Sequence, residues 1–135
     1  GSSRSASRIL EKQKEETKNN EETFNSLVKM RDIAEELSRE ILTNIDSVGH
    51  YLNLSWQLKR QLTNEISTDE IDEIHKIGIE NGADGGKLLG AGQGGFILFY
   101  CKRSYQDRLC KKLHKLRNFR VQVDELGVTC KNDFK

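Results

Sequence analysis

The sequence contains no proline at all, against a usage of about 5% in ordinary proteins. This fits a helix-rich chain whose turns are made by glycine, and carries no functional meaning beyond that. Long apolar runs are also absent. Nothing approaches the length needed to cross a bilayer and no signal-peptide pattern opens the chain, so the expectation is a cytoplasmic protein with no membrane partner. Cysteine is scarce: Cys101, Cys110 and Cys130 form an odd set without a C-x-x-C pair, which reads as free thiols in a reducing cytosol. His50, His75 and His114 stand alone with no metal-ligand spacing, so no metal site is expected. Excess charge is lacking too, since a net charge of +1 gives no global drive toward nucleic acid or membrane.

What is present suits one folded domain over residues 1–135, a length that allows a real core. Charged residues make up 32% of the chain, so polar helix surface must be plentiful. Residues 5–20 read as a helix that is apolar only near its start, at Ala6, Ile9 and Leu10. From Glu11 to Thr23 there is no apolar side chain, leaving a solvated helix end or a loop. Phe24, Leu27, Val28, Ile33, Ala34, Leu37 and Ile41 recur at three- and four-residue steps, predicting a helix over about 22–43 with that face buried. A further helix, capped by Asn44 or Asp46, runs to about Leu62. Its apolar set from Val48 through Trp56 to Leu62 is broad enough to be covered on more than one side. Ser67 and Glu70 form a capping box ahead of an amphipathic helix that Asn81-Gly82 terminates.

The stretch GADGGKLLGAGQGGFILFY, residues 82–100, holds seven of the eleven glycines. Beyond it, Phe96 to Cys101 reads as a central strand buried on both faces. Ser104 then caps a helix carrying Leu109, Leu113 and Leu116, and Phe119, Val121 and Val123 alternate as a final strand. The expected class is α+β, an antiparallel sheet covered by helices.

Gly90, Gly92 and Gly95 satisfy G-x-G-x-x-G, but a dinucleotide loop needs a helix straight after it to hold the pyrophosphate. Here a strand follows, and no acidic residue sits about 20 residues on. A Walker loop fails as well, because no Gly-Lys-Ser/Thr follows. Lys87-Leu88-Leu89 and Phe96 onward therefore read as the arms of a β-hairpin. Four glycines within Gly90–Gly95 exceed what a turn requires. Glycine loses the most entropy on folding, so the excess suggests close approach to the backbone, with a plain turn as the alternative.

The pattern Gly-Ala-x-Gly-Gly-Lys-Leu-Leu-Gly-Ala-Gly-x-Gly-Gly-Phe, residues 82–96, resembles the third conserved motif of the GHMP kinases. Residues 55–100, with Trp56-x-Leu58-Lys59, then Ile71-Asp72-x-Ile74, then the glycine motif, resemble in particular the carboxy-terminal half of D-glycero-D-manno-heptose 7-phosphate kinases. Gly1-Ser2-Ser3-Arg4 resembles the Thr-Gly-x-x-Arg of the same subfamily. Two features depart from the pattern. Gln93 stands where a further glycine is common, and nothing resembles the Pro-x-x-x-Gly-Leu-Gly-Ser-Ser-Ala nucleotide loop of the family's amino-terminal domain.

The resemblance implies a ferredoxin-like GHMP carboxy-terminal domain with added helices, part of a longer enzyme. That enzyme would transfer the γ-phosphoryl of MgATP to a hydroxyl of a sugar or sugar phosphate. ATP and Mg2+ would be bound mainly by the other domain, and the isolated chain would be inactive. It further implies Gly90, Ala91, Gly92, Gly94 and Gly95 as active-site wall, and Arg4 as a contact for a substrate phosphate, with a surface arginine at a helix start as the alternative. Lys87, from its own position, could reach a phosphate or serve structurally at the start of a strand. No residue of this chain is assigned a catalytic role.

Two rival readings come from other residues. Lys102, Arg103, Arg108, Lys111, Lys112, Lys115, Arg117 and Arg120 face a single acid, Asp107, and Gly95-Phe96-Ile97-Leu98-Phe99 matches the tail of an RNA-recognition signature. That signature requires a basic residue at 92 and an aromatic at 94, where Gly92 and Gly94 stand, so nucleic acid is disfavoured and the basic run reads as a solvated helix face. The other rival is an interaction domain, whose open sheet edge and apolar face would favour a dimer. Trp56 reads as core, and Asp84 as a turn residue ahead of the hairpin.

Overall fold

The computed structural model describes residues 6–121. Five helices and two strands follow in the order α1 (Ala6–Asn19), α2 (Glu21–Glu40), α3 (Ser47–Arg60), α4 (Asp69–Glu80), β1 (Ala83–Leu88), β2 (Ile97–Cys101) and α5 (Arg103–Lys112). The strands pair antiparallel, Leu88 opposite Ile97 and Ala83 opposite Cys101, with an irregularity between Ala83 and Gly85 that sets Asp84 outside the register. The class is α+β, as the sequence led us to expect.

The polar stretch after Leu10 is helix, not loop. Ile9 is 3% exposed and ties α1 to the core while the rest of the helix is largely solvated. Asn20 ends α1 and starts α2, its side chain accepting from the backbone N–H groups of Glu22 and Thr23 at 2.8 and 3.3 Å. The apolar face that periodicity predicts for α2 is only partly covered, with Leu27, Val28, Ile33 and Leu37 half-buried. Thr23 and Ser26 are its buried residues, whereas Phe24, Ala34 and Ile41 are exposed. At Ser26 a small polar group serves because its hydrogen bond is satisfied: Ser26 Oγ donates to Gln61 Oε1 at 3.1 Å.

Helix α3 is central. It packs against α2 on one side and against both strands on the other, which accounts for its broad apolar set. Trp56, Leu62, Ile66, Ile71, Leu88 and Ile9 form the main core, and Leu27, Met30, Ala91 and Ile97 pack on it. A second cluster joins Ala83, Leu109 and Leu113 with Ile74, Ile77, Phe99 and Cys101. It holds α5 and α4 on the sheet.

Several local expectations shift. Asp46 occupies the position before α3 without capping it, because its carboxylate is taken by Tyr100 Oη at 2.7 Å. The cap of α4 is Thr68, whose hydroxyl accepts from the Ile71 N–H at 3.3 Å. Ser67 turns instead to Asp72 Oδ1 at 2.6 Å, so the Ser67–Glu70 box does not form. Gly82, with φ of +104°, does close α4 as expected. Lys102 precedes α5 in place of Ser104, and Leu116 lies beyond the helix, 40% exposed. Strand β2 is half-buried along its length and pairs with β1 alone among the described residues, so it is not a strand buried on both faces. Phe119 to Val121 carries no strand, and Val123 lies outside the described residues.

Candidate functional site

The glycine-rich segment is a hairpin loop, Leu89 to Phe96, closed by Leu89 N–H donating to Phe96 O at 2.8 Å. Its tip is fastened to the body of the domain. The Gln93 N–H donates to Ile66 O at 2.8 Å, and Gly92 lies so close to Ile66 that a Cβ on it would meet that backbone at 2.9 Å. With φ of +139° at Gly92 and +55° at Gln93, the chain turns tightly over a residue that is itself fully buried. Gln93 therefore adopts a positive φ where a glycine would have done so without strain. Ala91 packs against the core. Gly90 faces the other way: nothing lies within 4 Å of where its Cβ would be. The loop thus has an anchored side at Ala91–Gln93 and an exposed side at Gly90 and Gly95, bare at Gly90, whereas a Cβ on Gly95 would meet Leu89 O at 3.3 Å.

Two lysines stand at the base of this loop. Lys87, on β1, donates to Ser55 Oγ on α3 at 2.5 Å. Lys59, one helical turn beyond Ser55, donates to the carbonyl oxygen of Gly90. Both are partly buried, and burial pushes both ammonium groups below the usual lysine range. For Lys59 the neighbouring charge of Lys87 adds to the effect. Lys87 was among the expected contacts, whereas Ser55 and Lys59 were not. The available signal was their i, i+4 spacing in SWQLK, which puts both on one face of α3. The fastening of the loop by Ile66 had no sequence signal, because it uses a main-chain carbonyl.

Behind the lysines, the His75 ring lies between Trp56 and Phe99, with centroids 6.3 and 6.1 Å away. Its Nε2–H donates to Gly86 O at 3.1 Å. Burial holds His75 below the usual histidine range. Trp56 is 1% exposed and is core. His50 and His114 are exposed, and Asp84 is exposed on the strand irregularity. The basic residues from Lys102 to Arg120 are all exposed, and Arg108 binds Asn81 Oδ1 and Glu80 O. Arg4 lies outside the described residues. Among the described residues no group of three or more His, Cys, Asp or Glu could hold a metal ion, and no helix is long and apolar enough to cross a membrane.

The structure is thus an α+β domain with a helix-backed antiparallel hairpin, an anchored, glycine-rich tip and two partly buried lysines at its base. Residues 30–117 match the family described as GHMP kinases C terminal, more than half of the chain, and the chain belongs to that family. Over 73 residues it is 36% identical to the D-glycero-alpha-D-manno-heptose 7-phosphate kinase of Campylobacter jejuni, a match covering 54% of this chain and 22% of that protein. The fold is shared with the mevalonate kinase of L. major, solved in complex with R-mevalonate. There the TM-score is 0.72 at 21% identity, covering 85% of this chain and 36% of that one. The chain thus spans about a fifth of the curated relative and about a third of the solved structure.

Proposed function

We propose that this chain is the carboxy-terminal domain of an ATP-dependent kinase that transfers the γ-phosphoryl of MgATP to a hydroxyl of a sugar or sugar phosphate, with a heptose 7-phosphate as the favoured acceptor. One observation carries the reading: the loop is anchored through Gln93 and Ile66 while its Gly90 side stays bare. Phosphoryl transfer depends on positioning and charge neutralisation. A rigid wall of small residues supplies room and backbone N–H groups and needs no proton acceptor. Gly90 and Gly95 form the exposed part of that wall with half-buried Gly94 beside them, and Ala91 and Gly92 fasten it. Lys87 and Arg4 are proposed as substrate contacts.

The bare Gly90 face fits close approach by ATP. The described residues offer no carboxylate cluster for Mg2+, so no step is assigned to the ion on this chain. When bound, MgATP supplies the transferred group, and this domain's part is to orient the acceptor and exclude water from it.

The test is ADP release from MgATP with heptose 7-phosphate and with unphosphorylated sugars. The assay uses the product of the whole reading frame that contains this chain, alongside the 135-residue chain alone. The longer product is expected to turn over with heptose 7-phosphate and the 135-residue chain to be silent. Turnover by the short chain overturns the domain assignment, and absence of sugar-dependent turnover by the long one overturns the reaction.

A further inference from the structure

The Lys59 and Lys87 ammonium groups are both partly buried and repel one another, yet among the described residues neither forms an ion pair. Their hydrogen-bond partners are neutral oxygens, Gly90 O and Ser55 Oγ. Elsewhere in the domain cations do find carboxylates, at half-buried Lys12 and at exposed Arg60. Lys12 meets Glu65 at 3.0 Å, and Arg60 meets Asp72 at 2.6 Å. Two half-buried cations left without a counter-charge carry a partial desolvation cost as well as mutual repulsion, and an anion placed beside them offsets both. They also sit where an anion has access. Ser55 and Lys59 share one face of α3, Lys87 faces them from β1, and Lys59 touches Gly90, the first glycine of the loop.

We infer that Ser55, Lys59 and Lys87 form a binding site for a phosphate monoester dianion at the base of the glycine hairpin. Each lysine offers N–H donors to phosphate oxygens, and the Ser55 hydroxyl, released from Lys87, donates a further one. The inference deepens the kinase reading, since the phosphate belongs either to the acceptor sugar or to the nucleotide. The site itself requires no turnover to be detected.

Titrating the 135-residue chain with inorganic phosphate at constant ionic strength, followed by amide chemical shifts, tests it directly. Saturable shifts centred on Ser55, Lys59, Lys87 and Gly90 are expected. Lys59→Met and Lys87→Met should each weaken binding by at least about tenfold, ~1.4 kcal/mol, while Lys29→Met on α2 leaves it unchanged. Ser55→Ala, which removes no charge, is expected to weaken it by a smaller factor and guards against misfolding of the lysine variants. Parallel titrations with glucose 6-phosphate, glucose and ADP separate the sources. A stronger response to glucose 6-phosphate than to ADP assigns the site to the acceptor, and the reverse assigns it to the nucleotide.

Shifts centred elsewhere, binding indifferent to both lysine substitutions, an equal response to glucose and glucose 6-phosphate, or no response to phosphate overturns the proposal. If the long reading frame proves inactive while phosphate still binds here, the kinase reading fails and the anion site stands.

Discussion

Gly49 and Gly85 meet backbone to backbone: a Cβ on Gly85 would lie 1.7 Å from the carbonyl oxygen of Gly49. This contact seats α3 directly on β1, and with it the Ser55–Lys59 face opposite Lys87. Both neighbours are main chain, so neither can swing away. Gly85→Ala is expected to destabilise the domain by about 3 kcal/mol or more, the upper end of overpacking costs. Urea denaturation of the purified chain measures it, and a loss under about 1 kcal/mol would show that α3 and β1 separate easily.

His75 makes stability pH-dependent. Its folded pKa is lowered, first by burial, with Arg60 acting in the same direction, while the Gly86 hydrogen bond and Asp72 act to raise it. Between that lowered value and the ordinary histidine value of about 6.5, the unfolded chain binds more protons than the folded one. Stability therefore rises with pH through this window. The contribution is fully present above the ordinary value and is lost as pH falls through the folded one. Denaturation midpoints should drop on going from neutral to mildly acidic buffer, and His75→Gln should flatten the slope. An unchanged slope in that variant would place the titration on another group.

The displaced cap of α4 gives an ordering test. Thr68→Ala should cost about 1 kcal/mol through loss of the bond to the Ile71 N–H. Ser67→Ala should cost less, since Ser67 only supports Asp72, which Arg60 also holds. Thermal denaturation of the two variants ranks them, and a larger loss at Ser67 would restore the capping box that its spacing suggested.

Much of the fold was legible because local chemistry dictates it. The helix over 69–80 ends where Asn81-Gly82 predicts, and the strand after Phe96 follows from its β-branched and aromatic run. The misreadings share one cause. The face of α2 that is buried contains Thr23 and Ser26, and β1 begins at Ala83 and includes Gly85 and Gly86. In each case the deciding factor is what packs opposite: Gln61 satisfies Ser26, while α3 and the Phe99 ring occupy the space that side chains at 85 and 86 would need.

The candidate site divides in the same way. That Gly90 to Gly95 form a hairpin tip and not a dinucleotide loop was determined by sequence, because a strand follows the glycines and backbone N–H groups must pair accordingly. Family membership, too, was readable in residues 55–100. Tertiary structure alone decided which side of the tip is bare and which is fastened, through a carbonyl at Ile66 that no side-chain pattern encodes. It also brought Lys87 to Ser55 and Lys59 to Gly90, across separations of about thirty residues. Sequence spacing specifies neighbours within one helix or strand, but charges on different elements meet only when a close backbone contact such as Gly49 on Gly85 sets the distance between them.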